Sequence, residues 1–181
     1  MGTGYTAQVA VSISSTMTKT TIPTVPGAGT ALESTTTDSY SESYSQAFAY
    51  GVGGGNAKGT FHGQWSCAAG AQVVFDMAGV TLDPFGDTIT ATEIKAVYIR
   101  NISSTVGDML EVLGDAAGVG QQVPIMLAAT DAVQLGPSGA ILITSPVDGW
   151  AVGAGATDRI EVDNNQAGAI EFEIAIIYEH A

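Results

Sequence analysis

"GAIEFEIAIIYE", residues 168–179, alternates apolar and acidic side chains with a period of two. Ile170, Phe172, Ile174 and Ile176 fall on one face, and Glu171 and Glu173 fall on the other. An extended strand sorts oil from charge at that spacing, whereas a helix would scatter both sets around its axis. The length and clean alternation predict a central strand with one wet face.

The same rhythm runs back through the chain. "AQVAVSI" (7–13) sets Val9, Val11 and Ile13 opposite Gln8, Ala10 and Ser12. "YSESYSQAFAY" (40–50) puts Tyr40, Glu42, Tyr44, Gln46, Phe48 and Tyr50 on one face, with Ser and Ala on the other. Glu42 among those aromatics predicts that the first half of this strand is exposed. "GTFHGQW", "AQVVFDM", "TIT" and "IKAVYIRNI" follow as strand material, and "DMLEVLG" is expected to form a hairpin with the strand before it. "VPIML", "AILIT", "GWAV" and "DRIEV" continue the series, separated by turn stretches such as "GPSG", "SPVDG" and "DNNQAG". No window holds a helical apolar stripe. Roughly eight to ten strands with regular turn signals predict an all-β fold, an antiparallel two-sheet β-sandwich of jelly-roll-like type.

Composition agrees. The 181 residues suit one domain, 45% are hydrophobic, and the 23 glycines fit a turn-rich β protein. Residues 1–34 read as a first strand and an extended N-terminal arm, because Pro23, Pro26, Gly27 and Gly29 are poor material for a packed element. Residues 35–181 read as the sandwich body. The formal charge of −13 comes from five Lys and Arg against 18 Asp and Glu. Nucleic-acid binding draws on clustered cations, so no nucleic acid is expected as a partner, and an anionic membrane would repel the chain. Cys67 is the one cysteine, which excludes an internal disulfide. No secretion signal opens the chain and no run approaches the ~18 apolar residues of a spanning helix. The polypeptide is expected to be made and folded inside a cell.

Candidate chemistry is thin. "GVGGGN" (51–56) lacks the G-x-G-x-x-G register and leads into strand, so it reads as a flexible hairpin connection. "NAKGT" reverses the Lys-Gly order of a phosphate loop, and "GPSGA" around Ser138 reads as a type I or II turn with Pro137 presetting φ. His62 and Cys67 stand five apart, which places them on opposite faces of an unbulged strand. Asp83, Asp87, Asp158, Asp163, Asn164 and Asn165 sit on loops, where turn chemistry accounts for them without calcium. Trp150 is expected in the core, and Trp65 is the better candidate for a sugar platform. No catalytic set, metal site or cofactor is expected, and the chain is not expected to be an enzyme.

"SYSQAFAYG", "LDPFGDTITATEIKAVYIRN" and "SPVDGWAVGAGATDRIEVDNNQAGAIEFEIAIIY" together resemble a group of small virion structural proteins of tailed bacteriophages. The resemblance covers about residues 36–181 and rests on the order of the motifs. It implies a part of the particle, and with the β-sandwich reading a capsid decoration (cement) protein, located on the capsid surface of the virion and made in the host cytoplasm. The implied partners are the major capsid protein and further copies of the chain, as a homotrimer. Val9, Val11, Ile13, Ile22, Pro23 and Val25 in the arm, with Tyr40 and Tyr44, are the candidate partner contacts. The alternative role is a head- or tail-fibre module binding host surface glycans through Tyr40, Tyr44, Tyr50 and Trp65.

Overall fold

The computed structural model describes residues 6–21, 34–82, 86–113, 123–126, 131–155 and 157–180. Every regular element among them is a strand: β1 (Thr6–Thr21), β2 (Ser34–Tyr50), β3 (Asn56–Ala57), β4 (Gly59–Cys67), β5 (Ala71–Asp76), β6 (Ala78–Leu82), β7 (Thr88–Asn101), β8 (Leu110–Val112), β9 (Val133–Leu135), β10 (Ala140–Thr144), β11 (Trp150–Ala151), β12 (Arg159–Asn164) and β13 (Ile170–His180). One sheet runs β10-β7-β13-β4, with β6 and β11 also paired to β7, and a second runs β5-β12-β8-β9. Ladders within both are antiparallel.

The core lies between these two sheets. β13 supplies Ile170, Phe172, Ile174 and Ile176, each at most 1% exposed, against Phe75, Ile160 and Val162 of the opposing sheet. β13 sits between β7 and β4, the central place that its alternation predicts. Glu171 is exposed on its other face.

β7 keeps a core face only by breaking its own period. Ile89, Ala91, Ile94, Val97 and Ile99 all reach the core, although the steps from 91 to 94 and from 94 to 97 are odd. The β13 ladder explains this: Ile177 faces Ala96 while Tyr178 faces Ile94, and Glu179 faces Glu93 while His180 faces Ala91. Lys95 and Thr92 are therefore extra residues, and each bulge resets which side chains point inward.

Two expected elements differ. "DMLEVLG" makes no hairpin with β7; β8 pairs with β12 and β9 in the opposite sheet. The buried Asn101 side chain explains the crossing. Its Nδ2 donates to the carbonyls of Asp108 (2.9 Å) and Leu135 (3.1 Å), and its Oδ1 accepts from Ser103 N (3.0 Å). "VPIML" forms no strand over 123–126. Val123 is nonetheless buried, with its N–H on Arg159 O (2.9 Å).

The chain divides into two compact units, one of Met1–Ala7 with Ala47–Ala181 and one of Gln8–Gln46. The second is a two-stranded ribbon built from β1 and most of β2. β1 runs on through Thr21, beyond the alternating "AQVAVSI", because the Ser- and Thr-rich stretch after it is itself strand-compatible. Gln8 Nε2 donates to Ser45 Oγ at 2.7 Å within the ribbon.

Candidate functional site: an open strand edge and a pinned loop end

The predicted contact residues fall mainly on the ribbon. Val9 and Val11 lie in β1, Val9 half-buried and Val11 38% exposed. Ile13 is also in β1 and Tyr40 in β2, but their side chains lie outside the described set; so, with their backbone, do Ile22, Pro23 and Val25. Tyr44 is 43% exposed on β2. The topology thus brings two of the predicted groups onto paired strands.

Backbone chemistry says more than these side chains. In the order β1-β2-β3, β1 is the rim strand, paired on one side only among the described residues. It has 16 residues, on the order of 50 Å of edge, with no proline and a single charge, Lys19. Natural edges are usually blunted by prolines, charges or shortness. An edge of this length and composition is a template for an added strand.

The other sequence candidates are taken up by structure. His62 is exposed and Cys67 is fully buried, on opposite faces of β4 as the odd spacing predicts. Cys67 Sγ lies 3.2 Å from Ala71 O and 3.6 Å from Val162 O. Burial first, and then the Asp163 carboxylate, push its thiol pKa up, the reverse of what a nucleophile needs. Trp65 packs in an aromatic cluster with Phe61, Phe75 and Phe172 at centroid distances of 5.1, 5.0 and 6.4 Å. Trp150 is partly buried against the same core. Asn164 is a structural tie, its Nδ2 donating to Cys67 O (2.9 Å) and Gly168 O (2.8 Å). Asp158 caps its own turn, accepting from Gly155 N. Asp83 lies outside the described residues and Asp87 is exposed. No group of three metal-binding side chains occurs among the described residues. Pro137 and Ser138 form the expected turn, closed by Gly139 N on Gly136 O at 2.8 Å.

A shallow depression of about 290 Å³ lies on the sheet face bearing His62, Gln64, Tyr98, Glu173 and Ala175. Gln64 Nε2 donates to Glu171 (2.8 Å), and Arg100 approaches Glu173 at 3.8 Å. Its polar rim is partly engaged within the sheet.

The glycine loop is not a loose connection. Gly53 N donates to Glu179 Oε2 at 3.0 Å, and Gly55 N donates to Pro146 O at 2.8 Å. Beneath them Lys95 is fully buried. Its Nζ pairs with Glu93, with Glu179 at 3.4 Å, and with Val147 O at 3.4 Å. The "IKAVYIRN" and "SPVDGWAV" motifs meet here, since Ser145 N also donates to Lys95 O at 2.9 Å. Nothing in the spacing of Glu93, Lys95 and Glu179 reveals the cluster; the bulge at Lys95 and the β7–β13 register create it.

No protein-family model matches the chain, and no curated protein matches it. Among solved structures, a chain from the Bacillus endospore appendages, a family of disulfide-linked pili, superposes with a TM-score of 0.37 at 14% identity, covering 68% of this chain and 87% of that one. A chain of the cyanophage Pam1 capsid asymmetric unit superposes with a TM-score of 0.37 at 16% identity, covering 74% of this chain and 90% of that one. Similarity of this degree leaves the role to the molecule's own surfaces.

Proposed function

We propose that this chain is a bacteriophage capsid decoration (cement) protein, which binds the outer surface of the major capsid shell and bridges neighbouring coat subunits. The ordered motifs over residues 36–181 resemble tailed-phage virion proteins, and a rigid β-sandwich suits a clamp that resists outward pressure. The open edge of β1 is the observation that carries the reading. A two-stranded ribbon is marginal alone in water, so its stability is expected to come from a strand contributed by a neighbour. Three copies in a closed ring would match a local three-fold axis of a shell.

The glycan-binding alternative loses its best stacker, since Trp65 belongs to the aromatic cluster. It keeps Tyr44 and Tyr50, which are 43% and 59% exposed.

A proline scan over residues 7–12 in the full chain tests the edge. Successive N–H groups of a strand point to alternate sides, so every second proline removes an outward donor and spares the bonds to β2. The expected result is loss of binding to undecorated shells at those alternate positions, with the sandwich still folded by circular dichroism. Unchanged shell binding at all six positions would refute the edge's role.

A further inference from the structure

We infer that Lys95 is an ionic latch that makes two loops, residues 51–56 and 145–149, open and close as one unit. The loops are about ninety residues apart in sequence, and each is tied to the same buried charge cluster. Lys95 Nζ reaches Val147 O in the second loop, and its counter-ion Glu179 receives Gly53 N from the first. Gly55 N on Pro146 O joins the loops directly.

The packing around the cluster leaves little slack. Gly149 has φ +67, and a Cβ there would lie 2.9 Å from Glu93 Oε2. A Cβ on Gly54 would touch Val147 Cγ1 at 3.4 Å. Charge sets the behaviour. A fully buried cation beside two carboxylates is stable while all three remain together, and removing one partner leaves an uncompensated charge in a dry site. The carboxylates escape by moving toward water: the Glu93 side chain is already 35% exposed, and Glu179 is 12% exposed. Glu179 cannot move out without dropping Gly53. Without Lys95, Val147 O loses its donor. Loss of the cation therefore releases both loops, which carry the exposed side chains of Val52 (57%) and Val147 (66%) outward. The latch presents these two apolar tips as one rigid body.

Hydrogen exchange on the full-length protein tests the coupling. Lys95→Met keeps the bulk of the side chain and removes the charge. Exchange in peptides spanning 51–56 and 145–149 is expected to accelerate together, on the order of a hundredfold, while peptides from residues 170–176 hold their protection. Arg100→Met, which removes a cation from the exposed pair with Glu173, is expected to change neither loop. Glu179→Gln decides the matter if Lys95→Met unfolds the chain. It weakens the pair with Lys95 and the tie to Gly53 but touches no bond of 145–149 directly, so acceleration at 145–149 as well supports the latch. Acceleration confined to 51–56 in that variant, or of neither loop in a folded Lys95→Met, overturns it.

Discussion

At Ser138 the backbone takes φ +61, a conformation that a residue with a Cβ adopts at a cost of about 1 kcal/mol. Its side-chain contact, Oγ to Ser103 O at 3.5 Å, is too long to offset much of that. Ser138→Gly is expected to raise stability by about 0.5 kcal/mol, the relieved strain less the added unfolded-state entropy of glycine. A shift of the urea midpoint to higher concentration checks it. Gly63 is the opposite case: a Cβ there would come within 2.5 Å of the Trp65 ring. Gly63→Ala should force that ring out of its cluster and destabilise by about 1–3 kcal/mol. Cys67 gives a pH signature. Its thiol pKa is raised above the ordinary 9.0 by burial and by Asp163, so the unfolded chain gives up the proton first. Stability from this group is full below pH 9 and lost as pH rises through the folded value. Unfolding curves above pH 9 should accordingly fall more steeply for the native chain than for Cys67→Ala; parallel slopes would contradict this.

At the scale of elements, β13 is legible over residues 170–176, where a central strand with one wet face writes its environment into every second residue, but not at Ile177, Tyr178 and Glu179, which are buried in succession. β7 was legible as a strand but not in its facing, since bulges at Thr92 and Lys95 shift the period and only the partner register reveals them. The sequence pairs β8 with β7 in a hairpin, because a short turn-like link does not disclose that it crosses to the other sheet. Asn101 fixes that crossing, and Asn101→Ala should leave the carbonyls of Asp108 and Leu135 without their donor. A destabilisation of about 2–4 kcal/mol is expected from two buried acceptors, measured by denaturant unfolding. Trp65 could not be placed from sequence, because an indole on an alternating strand is equally at home in a core or under a sugar. The ribbon's open edge emerges only once β2 is seen to pair with β1 on one side and β3 on the other.

For the molecule as a whole, charge separates along the chain. Lys19 and Glu33 are the only charged residues among the first 37 and cancel, so the whole of the −13 lies beyond them. On the proposed function the acidic part resists self-adhesion, and the neutral segment makes contact through main-chain hydrogen bonds. Attachment of this kind should weaken little as salt rises, because the first 37 residues carry only one charge of each sign to be screened. The central claim is that the protein grips a shell from outside through its β1 edge, and image reconstruction of the intact particle tests it most directly. The account predicts two-layer β density on the outer surface where coat subunits meet, with a neighbouring strand alongside β1. Density confined to a fibre tip or to the shell interior, or β1 exposed to solvent along its whole edge, would contradict it.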